Sequence, residues 1–390
     1  MQNLTFLREN GNVPKTLSGE DHISGLLFYM ATLPSGFSAS ERIKAISTID
    51  TAEALGITSD AEDWNIRMLH YQLSEVFRVN PGISLYVGIY AKPTGANTFA
   101  EIKAMQNHTG GRLRQIGVWC GDVKLSADDL TALQGVATTL EAQDTPLSIL
   151  YAPKIESVSA LPNNLAGANK KNVSVLIGQA GSSTGMALYT DAANKALKTT
   201  VSGLGVLVGL VSLAAVHESI AWVEKYPTGV DVPAFGDGTL LNTLDKAVIE
   251  SLDASRYLFF ATYPGLSGSY MNDSHTMDSA TSDYAMIENV RTMDKAVRGI
   301  RTYLLPKLGG SLYIDKSTGK MQTYTVEHLK TTAQKAIEDM EKAGELSGYS
   351  VEIDPDQNVL STSTVEIVVK QVGVGVLRKL KVKIGYAESV

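Results

Sequence analysis

The sequence predicts an α/β core with a largely parallel or mixed sheet, followed by a smaller C-terminal α+β domain. Three observations carry that expectation. Short apolar runs alternate with helical ones through the middle of the chain, as strands and crossover helices do in βαβ units. The pattern changes after Gly309 and Gly310. Beyond them a single amphipathic helix precedes a series of strand-like runs, the order of an α+β unit.

Taken along the chain, residues 25–30 and 43–49 are strand candidates, the second leading into a helical stretch at 51–55. Residues 61–79 place Trp64, Met68, Leu69, Leu73, Val76 and Phe77 on one side of a helix, which the Pro81-Gly82 pair ends before a strand over 83–90. Residues 113–120 predict another strand. Ser126 then begins a helix: its hydroxyl can accept from first-turn N–H groups, and Asp128 and Asp129 suit the positive end of the helix dipole. Leu130, Leu133, Val136 and Leu140 line its buried side. Strands follow over 146–153, bounded by prolines, and over 173–178, and 186–197 reads as helix. The most apolar stretch, 203–216, falls short of the ~20 residues that cross a bilayer and reads as a buried helix or a strand running into one.

Residues 285–305 predict the longest helix, with Met286, Val290, Met293, Val297, Ile300 and Leu304 as an apolar stripe and Pro306 as its stop. Its other side carries Arg291, Lys295, Arg298 and Arg301. A helix over 326–343 closes at Gly344, where a left-handed residue is needed, and strands are expected over 351–353, 364–372 and 376–384. The expected division is an N-terminal arm at 1–20, an N-terminal α/β region at 21–110, a core at 111–310 and a C-terminal domain at 311–390 whose last strand, 376–390, is an arm.

Composition narrows the function. Of 390 residues 44% are apolar and 19% charged, which excludes large-scale disorder. A net charge of −7 argues against a dedicated nucleic-acid binder. The single cysteine, Cys120, rules out an intrachain disulfide, and the N-terminus lacks the basic-then-apolar pattern of a signal peptide, so a cytosolic origin and no membrane insertion are expected.

No catalytic constellation emerges, and no cofactor or metal is called for. The six histidines are scattered without an adjacent cysteine pair. His217-Glu218 reads as a buried pair. Asp273-Ser-His275 holds the residue types of a hydrolase triad, but sequence neighbours cannot form that geometry. The turn from Gly178 to Gly185 lies between a strand and a helix, where phosphate loops sit, yet lacks the Lys-Ser/Thr that completes one. It supports the rival expectation of an α/β enzyme or a protein binding nucleotides or phosphorylated metabolites. Gly203, Gly205 and Gly209 miss the dinucleotide spacing and suit close helix packing.

Charge in the last domain is segregated. Residues 327–356 hold eight acids, whereas Arg378, Lys379, Lys381 and Lys383 stand without an acid among them. Over Leu380, Lys381, Val382, Lys383 and Ile384 apolar and basic residues alternate strictly. Two readings stand: an edge strand guarded by lysines, or a terminal strand pairing with the sheet of another subunit.

The segment Asn289-Val-Arg-Thr-Met-Asp-Lys-Ala-Val-Arg-Gly-Ile-Arg301, the Leu304-Leu-Pro306 exit, the helix end Met340-Glu-Lys-Ala-Gly344 and the closing strands around Val365 and Val382 resemble a contractile-tail sheath protein. Residues 210–223, Asn242-Thr-Leu-Asp245 and 256–265 resemble a divergent sheath-like family of bacteriophages and related contractile injection systems. The resemblance runs from about residue 200 to the end and rests on the order of elements. It implies a non-enzymatic structural subunit that self-assembles as a helical sleeve around a tail tube and contracts to drive the tube through a cell envelope. The implied partners are other copies of itself, a tail tube protein, and baseplate and tail-terminator proteins. The implied location is the virion tail, assembled in the bacterial host cytoplasm. Within that picture residues 380–384 belong to an inter-subunit arm, and Arg291, Lys295, Arg298 and Arg301 face the tube or a neighbour. A sheath-end adaptor is the alternative within the same context.

Overall fold

A computed structural model describes residues 19–93, 95–167 and 169–386. The N-terminal arm expected at 1–20 therefore lies almost wholly outside the described residues, as do positions 387–390 of the C-terminal arm. The chain forms two compact units. The first runs to Ala215 and resumes over Ile220–Arg291; the second takes Val216–Ser219 and the chain from Thr292 onward.

The first unit contains, in order, β1 (Ser24–Tyr29), β2 (Ile43–Ile46), α1 (Ile49–Ala54), α2 (Trp64–Val79), β3 (Leu85–Tyr90), α3 (Ala100–His108), β4 (Gln115–Lys124), α4 (Ala127–Ala142), β5 (Ser148–Lys154), β6 (Val173–Val175), β7 (Gly178–Ala180), α5 (Ser183–Thr190), α6 (Leu204–Leu213), β8 (Pro233–Phe235), α7 (Lys246–Ala254), β9 (Phe260–Ala261) and β10 (Tyr270–Met271), and it holds the start of α8 (Ile287–Leu304). Six strands form one sheet in the order β2-β3-β1-β4-β5-β6. All neighbours are parallel except β2, which runs antiparallel to β3 at the edge. The expected α/β core with a mixed sheet is thus present. Residues 21–110 and 111–310 do not form separate regions, because β1 lies between β3 and β4 and needs both as hydrogen-bonding partners.

Both faces of the sheet are covered, which explains the nearly continuous apolar strands. Leu26 and Phe28 of β1 point to the side of α2 and α6, and Leu27 and Tyr29 point to the side of α3 and α4. Helix starts follow local chemistry: the Asp63 carboxylate accepts from the Asn65 N–H, and the Ser126 hydroxyl accepts from the Asp129 N–H. Helix α6 is buried along nearly its whole length. A methyl group on Gly205 would stand 2.2 Å from the Gln72 carbonyl oxygen, so glycine lets α6 lie directly on α2. The buried Gln72 side chain completes that junction by donating to the Val201 and Ser202 carbonyls and accepting from the Gly205 N–H at 2.7 Å.

The helix expected over 186–197 stops at Thr190. Asn194 turns the chain there, its side chain donating to the Tyr189 and Thr199 carbonyls and accepting from the Thr199 N–H. The expected strand over 173–178 is divided: β6 joins the main sheet, and β7 pairs antiparallel with β8.

The second unit carries the rest of α8, then α9 (Thr323–Lys342), β11 (Leu346–Glu352), α10 (Val359–Thr362) and β12 (Val368–Gly373). Its core is small: Ala296, Ile337, Met340 and Leu346 in one group, Met321, Val326 and Val359 in another. Gly344 has φ +76°, the left-handed position the sequence assigns to it. The division of the chain falls inside α8 and not near residue 311. The Ile287 N–H at the start of α8 is held by the Ser274 carbonyl in the first unit, whereas Ala296 and Ile300 pack with Ile337 and Met340 in the second. No helix among the described residues is long and apolar enough to cross a membrane.

Candidate assembly surfaces

Strands β11 and β12 form a two-stranded antiparallel ribbon over α9, and the chain leaves β12 as an uncovered segment. The expected strand over 376–384 is absent. An alternating sequence supplies the side-chain pattern of a strand, but a ladder also requires a partner's N–H and C=O groups. Leu380, Val382 and Ile384 are 77%, 74% and 96% exposed, and Lys381 and Lys383 are exposed beside them. Apolar side chains of that size left in water over one continuous segment mark a surface meant for a partner.

The basic stripe is not a single face. Arg291 is buried, and its guanidinium donates to the Ala214 carbonyl at 3.1 Å and lies 3.4 Å from that of Ala215. Lys295 pairs with Glu345 at 2.5 Å. Arg298 is half-buried and Arg301 is exposed. The helix places polar residues where the sequence suggested an outer surface: Glu288 is buried and accepts from the Ser274 hydroxyl at 2.6 Å, whereas Val297 of the expected apolar stripe is 44% exposed. Burying these charges is tolerable because each is hydrogen-bonded.

The remaining candidates hold no reactive arrangement. A cavity of about 190 Å³ opens at the carboxyl ends of β1 and β4, where the strand order reverses and ligands commonly bind in open α/β sheets. Its polar groups are engaged within the chain: Tyr29 donates to Glu101, Lys92 pairs with Asp122, Lys124 pairs with Glu156, and Asp129 accepts from Tyr151. Burial, reinforced by the Asp122 and Asp129 carboxylates, raises the pKa of Cys120, so its thiol is a poor nucleophile. In the Gly178 to Gly185 turn the Gly181 N–H donates to the Val232 carbonyl and the Gly178 carbonyl accepts from Gly203. A side chain on Gly181 would collide with Leu240 and Ala234. These glycines serve packing. His275 sits 3.3 Å from Asp253 and 3.9 Å from Asp273, while Ser274 turns to Glu288, so no triad forms. His217 and Glu218 are half-buried, where the sequence suggested full burial.

The N-terminal and C-terminal domains of DUF2586 match residues 9–275 and 283–390. The chain belongs to the DUF2586 family. A provisionally named tail sheath protein of Haemophilus phage HP1 (strain HP1c1) is 33% identical to this DUF2586 protein over 107 residues, a match that spans 27% of each chain. Among solved structures, a chain in the baseplate of the anti-feeding prophage superposes with a TM-score of 0.64 at 13% identity, covering 99% of both chains. A chain of the contracted sheath complex of the extracellular contractile injection system PVC gives 0.62 at 12%, covering 100% of the DUF2586 protein and 98% of its counterpart. The sheath tail protein of Desulfitobacterium hafniense gives 0.52 at 9%, covering 95% and 100%. The DUF2586 protein therefore has the sheath-protein fold over nearly its whole length, and the sheath resemblance read from its sequence holds.

Proposed function

We propose that the protein is the structural subunit of a contractile tail sheath, which assembles as a helical sleeve around a tail tube and contracts to drive that tube through a target envelope. The observation that carries this reading is the correspondence, over 98–100% of both chains, with a subunit of a contracted sheath complex. The fold supplies a plausible division of labour. A rigid α/β unit is the body that moves, and a thin ribbon with an uncovered terminal segment is the link that holds.

In this reading residues 376–390 are the C-terminal arm, with Leu380, Val382 and Ile384 entering an apolar seat on another subunit and Lys381 and Lys383 meeting acidic side chains. Backbone pairing supplies affinity, and the alternate side chains supply register. Of the basic stripe, Arg301 with the half-buried Arg298 is the portion assigned to the tube or a neighbour; Arg291 and Lys295 support the fold. The partners are further copies of the chain, the tube protein, and baseplate and terminator components, and the location is the virion tail after assembly in the host cytoplasm. The role is structural, with no reaction.

Co-expression with the neighbouring tube protein and electron microscopy tests the proposal directly. Sleeves are expected from the full chain and none from a chain lacking residues 376–390. Sleeves from the truncated chain would overturn the arm assignment, and failure of the full chain to form any would overturn the sheath reading. Arg301→Glu is expected to weaken co-assembly while leaving the subunit folded.

A further inference from the structure

The two described ends of the chain are anchored in different ways. Near the N-terminus the chain enters β1, an interior strand. Six residues of β1 pair in parallel with β3, and five pair with β4. Helices cover both faces, so β1 can be neither peeled sideways nor lifted out. A pull along its axis loads both ladders in shear, and their hydrogen bonds must fail together.

The residues just ahead of β1 are clamped to the start of β4 and to the loop before β3. The Glu20 carboxylate is held by Arg114, whose guanidinium is largely buried, and by Arg112 at 3.3 Å. Gln115 donates to the Asp21 carbonyl at 3.1 Å and to the Ser24 hydroxyl at 2.7 Å. The Ile23 carbonyl accepts from the Arg114 N–H, and His22 meets the Ser84 hydroxyl at 3.2 Å. A force arriving at Gly19 is thereby shared with β4 before it reaches β1.

The other end differs at each of these points. Strand β12 pairs on one side only, with β11, and its alternate residues are exposed. The ladder is irregular near its open end, between Leu346 and Gly348. Because the strands are antiparallel, the chain leaves β12 at Gly373 opposite Leu346, where β11 receives the chain from α9. A pull on the C-terminal segment therefore opens the ribbon one pair at a time from that end.

We propose that residues 19–29 form a tension-bearing root for the N-terminal segment, loaded in shear, whereas the isolated β11/β12 ribbon yields first under load. The source of the load rests on the sheath reading; the mechanical asymmetry does not.

Single-molecule pulling on the isolated full-length chain tests it. One pair of handles is placed at the N-terminus and at an introduced cysteine, Ser251→Cys on the exposed side of α7; the other at Lys335→Cys on α9 and at the C-terminus. The first pair is expected to give one cooperative high-force event, and the second an earlier, low-force extension. Glu20→Gln combined with Gln115→Ala should lower the first event and leave the second unchanged. Glu20→Gln alone, at a half-exposed carboxylate, keeps the test open if the double variant misfolds. Release of the N-terminal segment at or below the force that opens the ribbon, or indifference of the first event to both variants, would overturn the proposal. Since no sleeve is needed, failure here is distinct from failure of the sheath reading.

Discussion

The six-stranded sheet and the two-stranded ribbon are built from similar residues but close their structures differently. In the sheet, β1, β4 and β5 are paired on both sides and covered on both faces, and Leu26, Leu27, Ile116 and Ile149 are fully buried. In the ribbon, Val368 and Val372 of β12 are 42% and 61% exposed. Two-stranded ribbons are marginal in water unless something packs on them. The first unit is thus complete as a folded body, whereas the second carries apolar side chains that become useful only against another surface.

Several perturbations would break or sharpen this contrast. The largest effect is expected from Leu207→Ala in α6, where loss of a fully buried side chain should cost about 3 kcal/mol in urea unfolding. Gln72→Leu comes next: it removes the partner of three buried backbone groups at the α2/α6 junction and should cost about 2 kcal/mol by the same measurement. A smaller effect concerns pH. Burial holds the His22 pKa below its ordinary value of 6.5, with Arg112 lowering it further and Asp21 and Glu20 opposing. The folded state therefore binds fewer protons than the unfolded one as pH falls below 6.5, and stability is lost across the interval down to the folded pKa. His22→Asn should flatten that part of the stability–pH curve. Least of all, Val372→Ala and Ile384→Ser should leave the unfolding midpoint of the isolated chain within about 0.5 kcal/mol of the parent. If either lowers it as much as Leu207→Ala, the ribbon and segment are part of the subunit's own core and the contrast fails.

How much was legible in the sequence follows the same line. Helices α2 and α4 were readable because their periodic apolar positions face one core, and Ser126 announces the start of α4 as expected. The strands were readable too, but not their order, since nothing in β1 itself states that β3 and β4 will lie on either side. The polar interior of α8 was hidden because its partners are remote: Ser274 for Glu288, and Ala214 for Arg291. The end of α5 depends on the side chain of Asn194, which residue periodicity does not register. Strands β8, β9 and β10 are too short to show a period. Of the surface residues singled out, the five at 380–384 stay together as one exposed set, whereas the four basic residues of α8 divide between interior and surface. A period identifies a face, but it does not say whether a charge on that face has a partner in the same chain.

The lysines of the terminal segment have one more consequence. Lys379, Lys381 and Lys383 place like charges along an otherwise apolar stretch. Two such segments lying side by side would set those charges against one another, which disfavours closed dimers formed through identical ends. Association is left to unlike surfaces, the geometry from which an array can keep growing.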